Sequence, residues 1–586
     1  MLDYEKLGAF YLGKRVDSED HSLTDELVLY DSKDLTTHAV IIGMTGSGKT
    51  GLGIGMIEEA AMDNVPVIAI DPKGDLGNLL LTFPKLRAED FLPWINKRQA
   101  SDKGQSAEEY AAGQAALWKK GLKSWGQGMK RISTLRKKVD MAIYTPGSSA
   151  GQPVSVLQSF KAPSPALLED ADLYSDRVQA TATSVLSLIG EDADPVSSRE
   201  HILISQLLDR AWREGRDLGI AELIGEIQNP PLTKVGVLDM DSFYAPKDRF
   251  KLAMKLNNLL AAPGFSTWTE GSPLDAQRLF YTEDGKPRIS VMSIAHLDDA
   301  ERMFFVCMLL AELIAWMRQQ QGTPSLRAIL YMDELFGFMP PVANPPSKNL
   351  FLTLLKQARA YGLGLVLSTQ NPVDLDYRGL SNTGTWMIGR VQTERDKARV
   401  MEGLEGVRAG ESFDKQAMER TLAGLDKRQF LLHNVHEDEP VVFNTRWVMS
   451  YMAGPMTRDQ IKLLMKGKKT AIDKAAAAAA PAAPKPVSKS KAAATSETPV
   501  LPPGIKQYFV ETRADNVTYV PRVLALTDVG FSNARYKVNE SRERAYCVEV
   551  STGAVAVDWD DSEVYEFTAN DLDDRAEEGA AFGDYP

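Results

Sequence analysis

Ala39-Val40-Ile41-Ile42-Gly43-Met44-Thr45-Gly46-Ser47-Gly48-Lys49-Thr50 joins a continuous apolar run to a glycine-rich loop, and the residues after it predict a helix. A phosphate-binding loop requires that order. Glycine lets successive backbone N–H groups turn toward one centre, where they and the amino end of a helix cradle α- and β-phosphates. Lys49 is then the group that reaches the β/γ-phosphates, and the Thr50 hydroxyl the one that ligates Mg2+. The expected cradle is Gly43, Met44, Thr45, Gly46, Ser47, Gly48, Lys49 and Thr50. The loop specifies a triphosphate and leaves the base open.

Working outward, Val65-Pro66-Val67-Ile68-Ala69-Ile70-Asp71 is a second continuous apolar run. With the first run and the helix between them it predicts a βαβ unit with parallel strands, hence an α/β fold. Ile289–Ile294, Ala328–Asp333 and Gly364–Gln370 resume the pattern much later, so residues 96–280, basic and then helical, are expected as an insertion between sheet strands. Thr385–Gly389 is a further strand candidate, and Phe430–His433 followed by Val441–Asn444 predicts a terminal hairpin.

Tyr331-Met332-Asp333-Glu334 brings two acids to the end of one of these runs. Asp333 is expected to hold the Mg2+ water shell, and Glu334 to orient and deprotonate an attacking water. Alone, two adjacent carboxylates could be a solvated strand end; with the upstream loop they predict hydrolysis. Gln370, after Ser368-Thr369, could sense the γ-phosphate through that water, or cap the Asn371-Pro372 turn. Asp71 also closes a parallel strand, where open sheets bind ligands. It is read as supporting the Mg2+ or the water, with turn formation as the alternative.

The chain has 586 residues, enough for a large core and more than one folding unit. Its two cysteines, Cys307 and Cys547, stand far apart and imply no disulfide scaffold, as in an intracellular protein. The opening Met1-Leu2-Asp3-Tyr4-Glu5-Lys6 has no secretory pattern. The most apolar helical stretch, Met303–Met317, contains Glu312 and falls short of the roughly 20 residues that cross a bilayer. A cytoplasmic protein without stable membrane insertion is expected.

A net charge of −12 argues against a uniformly basic surface, yet the charge is uneven. Lys97–Asp140 holds eleven Lys/Arg against four Asp/Glu, whereas Asp558–Pro586 holds eleven Asp/Glu against Arg575. Lys119, Lys120 and Lys123 with Lys130–Lys138 could line a path for nucleic-acid phosphates, or form a solvated helical surface.

The expected organisation is a short strand-rich segment at 1–35, the first part of the nucleotide core at 36–95, the insertion at 96–280 and the second part of the core at 281–465. Residues 475–503, rich in Ala, Pro, Ser and Lys, predict a flexible linker. Residues 504–586 predict a small α+β appendage with an acidic tail, from short strands such as Gln507–Val510, Val517–Val520, Arg535–Val538 and Ala545–Val550.

Gly43–Thr50, Ile70-Asp71-Pro72-Lys73-Gly74-Asp75, Met332-Asp333-Glu334, Gln357-Ala358-Arg359-Ala360-Tyr361-Gly362-Leu363-Gly364 and Ser368-Thr369-Gln370-Asn371-Pro372 together resemble the HerA/FtsK superfamily, particularly its bacterial HerA-like ATPases. The resemblance covers most of residues 1–465. It implies a RecA-like P-loop NTPase core, ATP and Mg2+ as cofactors, and a homo-hexameric ring that pumps double-stranded DNA through a central pore. It gives Lys49 and Thr50 the phosphate and Mg2+ roles, Asp333 and Glu334 the metal and base roles, and Gln370 the sensor role. Arg359 resembles the family arginine that enters the neighbouring subunit's site, a role that would make assembly part of catalysis. A solvated helix residue is the alternative for Arg359, and Arg390, Arg395 and Arg446 are rival donors. Some relatives work with end-processing nucleases. This chain departs from a full HerA protein at its beginning, where an extensive amino-terminal barrel is short or absent, which bears on recruitment of such a nuclease.

The expected function is therefore Mg2+-dependent ATP hydrolysis driving translocation on double-stranded DNA. A motor for a protein or another polymer and a nucleotide-controlled assembly scaffold are the alternatives.

Overall fold

The computed structural model describes residues 4–479, apart from 18–19, 157–159, 161, 164, 192–193, 262–264, 269, 381–382, 392 and 408–414. Beyond them it describes 507–510, 518–533, 538–549, 563–565, 572–573 and 581–582. The chain divides into two compact units, 1–478 and 479–586.

The first unit begins with the hairpin β1 (Ala9–Val16) and β2 (Leu23–Asp31), followed by β3 (Ala39–Ile42), α1 (Lys49–Met62) and β4 (Val67–Asp71). Next come α2 (Ala107–Ser124), α3 (Met129–Lys138), β5 (Asp140–Tyr144), α4 (Ala171–Leu188) and α5 (Arg199–Arg213). The chain returns through β6 (Arg288–Ser293), α6 (Asp299–Arg318), β7 (Ala328–Met332), α7 (Pro346–Gln357) and β8 (Leu363–Thr369). It closes with β9 (Thr385–Gly389), β10 (Gln429–Asn434), β11 (Val441–Thr445) and α8 (Arg458–Ala479).

These eleven strands form one sheet in the order β2-β1-β11-β10-β9-β3-β8-β7-β4-β6-β5. The seven from β9 to β5 are parallel, and the remaining four pair antiparallel as a wing. The parallel strands read as unbroken apolar runs because helices cover both faces. Their alternate residues enter different cores: Val40, Ile42, Ile68, Ile70, Leu330 and Met332 join one, and Ala39, Ile41, Val67, Ala69, Ile329 and Tyr331 the other. The first core packs against α4, α5, α6 and α7, the second against α1, α2 and α3. This is a RecA-like α/β core. Met141-Ala142-Ile143-Tyr144, inside the expected insertion, is part of the parallel edge strand β5, in register with β6 from Asp140↔Arg288 to Tyr144↔Met292.

Local signals set the helix starts. Ser106 and Glu109 form a reciprocal capping box on α2, and Asp298 and Glu301 do so on α6. Although α6 is 20 residues long, Glu312 on it pairs with Arg177 of α4 at 3.0 Å. No helix among the described residues is long and apolar enough to cross a membrane.

Buried charges fasten α1 from beneath. Glu58 and Glu59 point inward, where Arg446 meets Glu58 at 2.9 Å and Glu59 at 2.8 Å, and Arg131 of α3 meets Glu59 at 2.8 Å. All four side chains are at most 4% exposed.

In the second unit β12 (Arg522–Asn533) pairs antiparallel with β13 (Val538–Glu549), which also takes β14 (Glu563–Tyr565). Short bridges join Phe509–Val510 to Leu572–Asp573 and Thr518–Tyr519 to Ala581–Phe582. Residues 475–479, placed in the linker by composition, continue α8; 480–503 lie outside the described residues, as do 535–537 of the expected strand Arg535–Val538 and most of the acidic tail.

Candidate active site

Four neighbouring parallel strands, β3, β8, β7 and β4, end on the same edge of the sheet, and each delivers part of the site there. The loop after β3 turns through Gly46 (φ 79°) and Gly48 (φ 104°), conformations that cost glycine little. Gly48 caps α1 without a side chain, which leaves the first-turn N–H groups for a ligand. Thr50 sits half-buried in that turn. Lys49 is buried, and its Nζ folds back onto the carbonyls of Gly43 and Met44. Burial, with repulsion from Lys73, lowers its pKa to about 8, against the attraction of Asp333 and Glu334.

Asp333 leaves β7 with 1% exposure, and neither of its carboxylate oxygens meets hydrogen-bond geometry with any described group. The same holds for the buried hydroxyls of Ser47 and Ser368. Burial pushes the Asp333 carboxyl above its usual range, with Lys73 the main opposing influence and the Ser368 hydroxyl and Lys49 next. A buried carboxylate without a donor costs several kcal/mol on general grounds, roughly the penalty a cation would remove. Beside an open cradle of backbone N–H groups and a lysine resting on its own loop, these orphaned oxygens fit a Mg2+–nucleoside triphosphate. No group of three metal-ligating side chains occurs among the described residues.

Glu334 occupies the left-handed region at φ 52°. Its Oε2 accepts from Lys73 Nζ at 2.5 Å and from Gln370 Nε2 at 2.7 Å, while Oε1 accepts from the Gln370 N–H at 3.4 Å. Gln370 Oε1 in turn accepts from the Thr45 hydroxyl at 2.5 Å. Gln370 thus bridges the phosphate loop and the acid pair, and its amide contacts run to Thr45 and Glu334 rather than to the Asn371-Pro372 turn.

Asp71 is fully buried and already occupied: Oδ1 accepts from the N–H groups of Lys73, Gly74 and Asp75, and Oδ2 from that of Leu76. Burial, opposed by these bonds, raises its pKa to about 7, and Asp333 pushes the same way. This is the turn-forming arrangement left open by the sequence; Asp71 bears on the site by fixing the loop that carries Lys73. Lys73, in the motif Pro72-Lys73-Gly74, reaches the site through Glu334, which the sequence does not indicate. Arg428 supports the phosphate loop from outside. At φ 65° its N–H donates to Ser47 O at 2.8 Å, and its guanidinium lies 5.2 Å from the Trp447 ring centre. No spacing in the sequence points to it.

The arginines separate by position. Arg359 is exposed in the short turn Ala358–Tyr361 that precedes β8, at the edge of the sheet opposite the phosphate loop. The seven residues of β8 span about 23 Å, at ~3.3 Å per residue, so Arg359 does not reach its own site. Arg390 is exposed beside that site, its carbonyl accepting from the Met44 N–H at 2.7 Å. Arg395 is exposed on the following helix. Arg446 is the correction: as a member of the buried quartet under α1 it cannot serve a neighbouring subunit. Arg131 leaves the basic run for the same reason, and Arg136 and Lys138 donate to the carbonyls of Thr82 and Met62.

Residues 10–114 match the family model for the central domain of the helicase HerA. No curated protein matches the chain. Among solved structures, VirB4 of Thermoanaerobacter pseudethanolicus is 14% identical, covering 75% of this chain and 96% of its own, with a TM-score of 0.43. The plasmid coupling protein TrwB, solved with ADP and Mg2+, is 12% identical, covering 77% of this chain and 98% of its own, with a TM-score of 0.44. The genome packaging NTPase B204 of Sulfolobus turreted icosahedral virus 2 is 19% identical, covering 27% of this chain and 68% of its own, with a TM-score of 0.20. The HerA match spans the strand, the glycine loop and the helix that build the phosphate cradle, and through residues 10–114 the chain is similar to the central domain of that helicase.

Proposed function

We propose that this protein hydrolyses ATP with Mg2+ and uses the energy to translocate double-stranded DNA as a homo-hexameric ring in the cytoplasm. The observation that carries the hydrolytic reading is Asp333, a buried carboxylate with no well-formed hydrogen bond and only the Ser368 hydroxyl close by, beside the glycine cradle and next to Glu334. Mg2+, when bound, neutralises charge developing on the phosphates and orients them. Thr50 and Asp333 would hold it through their side-chain oxygens. Lys49 leaves the carbonyls of Gly43 and Met44 for the β/γ-phosphates. Glu334 receives the proton of the attacking water, and Gln370, tied to both Thr45 and Glu334, positions that water against the terminal phosphate. Arg359, too far from its own site, is proposed to complete the site of the next subunit, supplying charge where it develops in the transition state. DNA as the polymer rests on the HerA match, and an end-processing nuclease is a possible partner class.

The test is ATP hydrolysis by wild type and Glu334→Gln, with and without linear double-stranded DNA, with oligomer mass recorded in parallel. A ring whose turnover is stimulated by DNA and abolished by Glu334→Gln supports the proposal. DNA-indifferent turnover in the same ring redirects it to a protein or other polymer, and a monomer under ATP and DNA removes the ring. If Glu334→Gln loses turnover yet keeps every partner interaction and biological activity, the protein is a nucleotide-controlled scaffold.

A further inference from the structure

Lys73 is the second ammonium group at the phosphate pocket. Its backbone is pinned, because its own N–H and those of Gly74, Asp75 and Leu76 all donate to Asp71, with Gly74 at φ 84° closing the turn. From that fixed base its side chain reaches past the end of β7 to Glu334 Oε2 at 2.5 Å. The same oxygen already takes Gln370 Nε2 at 2.7 Å. Two donors on Oε2, one of them charged, leave that oxygen poorly placed to receive a water proton. The charges facing Glu334 are Lys73 from the β4 loop, Lys49 from α1 and Asp333 from its own strand. Lys49 and Lys73 repel each other across the pocket. An anion entering between them relieves that repulsion and competes with Glu334 for Lys73.

We propose that Lys73 is a positioning residue that holds Glu334 away from the attack line, and that the terminal phosphate of a nucleoside triphosphate draws Lys73 off it. This rests on Glu334 being the base, as proposed above. The pocket then distinguishes a triphosphate from a diphosphate before any chemistry occurs. A diphosphate occupies the loop and Lys49 but offers Lys73 nothing, so Glu334 stays held. A triphosphate exchanges the Lys73–carboxylate pair for a Lys73–phosphate pair and removes the charged donor from Oε2, leaving Gln370 Nε2 on it. Gln370, bonded to Thr45 at the lip of the loop, is placed to follow the same exchange.

The full-length protein is compared as wild type, Lys73→Ala, Lys73→Arg, Glu334→Gln and the Lys73→Ala/Glu334→Gln double variant. Equilibrium binding of Mg2+–ADP and of the non-hydrolysable β,γ-imido analogue of ATP is measured alongside steady-state hydrolysis. Lys73 is one-third exposed, so its variants should melt with the wild type. Lys73→Ala is expected to weaken the imido analogue tenfold or more and ADP less than twofold, since only the triphosphate loses a charge-assisted hydrogen bond. Lys73→Arg recovers most of that discrimination. Glu334→Gln, which frees Lys73, tightens the imido analogue several-fold, and the gain vanishes in the double variant. Equal weakening of both nucleotides by Lys73→Ala, or an unchanged analogue affinity in Glu334→Gln, overturns the proposal. If Glu334→Gln hydrolyses ATP at the wild-type rate, the base assignment itself fails. If it abolishes turnover without tightening the analogue, only the hold by Lys73 fails.

Discussion

Replacing Arg446 by alanine should reduce stability, with any loss of turnover following from that. The guanidinium is 1% exposed and spends its donors on Glu58 (2.9 Å), Glu59 (2.8 Å), Tyr11 O (2.9 Å) and Gly55 O (2.9 Å). Without it, Glu58 keeps the N–H groups of Met449 and Ser450 and the Ser450 hydroxyl, and Glu59 keeps Arg131. Removing one partner of a buried ion pair costs about 3–5 kcal/mol, and these surviving donors place this case at about 3 kcal/mol. For the 478-residue unit, an unfolding entropy of ~2.1 cal/mol/K per residue gives ~1 kcal/mol/K, so the melting temperature should fall by about 3 °C. The assay is thermal unfolding of the nucleotide-free protein followed by circular dichroism, with hydrolysis measured well below the transition. Adding Glu58→Gln removes the carboxylate left in excess, so the double variant should be less destabilised than the sum of the singles. An Arg446→Ala protein that melts within 1 °C of wild type yet has lost turnover would refute the reasoning and return Arg446 to the catalytic candidates.

Three further outcomes follow from the site and its supports. In the nucleotide-free protein Lys49 titrates at about 8, below its ordinary 10.5, so the folded chain holds fewer protons than the unfolded chain between those values and stability should rise with pH across that window. Phosphate binding raises the Lys49 pKa again, so ATP binding at pH 8 should take up about half a proton, read by calorimetry in buffers of different ionisation heat and lost in Lys49→Met. Arg359→Ala should leave melting unchanged and abolish turnover only of the assembly; mixing it with Glu334→Gln should restore activity at interfaces that pair one intact Glu334 with one intact Arg359. Absence of rescue counts against a trans role. Gly121→Ala places a methyl 2.4 Å from Trp447 Cδ2, an overpacking worth about 1–3 kcal/mol that should lower the urea midpoint, whereas an unchanged midpoint would mean that α2 slides freely over the indole.

The parallel strands were legible because burial on both faces writes them as unbroken apolar runs, and the residue that ends each run stands on the ligand edge by topology alone. That is why Asp71, Asp333 and Gln370 could be named together with Lys49. Edge strand β5 was visible as an extended piece, yet its place was hidden: its neighbour β6 begins 144 residues after Tyr144, and nothing local records that pairing. The Lys73–Glu334 pair spans 261 residues and the Arg446–Glu58 pair 388, distances set by strand order and by the helix over the sheet. Asp71 shows the converse limit. An acid at a strand end reads the same whether its carboxylate faces a metal or its own turn, and only the four N–H groups on it decide.

The strand order also has a consequence for synthesis. The hairpin β1–β2 is made first but meets the sheet only through β11, where Gly13 faces Thr445. Within the HerA-matched stretch 10–114, β3 and β4 are not neighbours either; β8 and β7 stand between them. The most recognisable part of this chain is therefore a hairpin and two core strands that do not pair with it or with each other. A ribosome that has released only this stretch exposes unpaired strand edges, and the phosphate pocket takes shape only after β8 and Gln370 have emerged. The stretch by which the family is recognised should not fold when expressed alone.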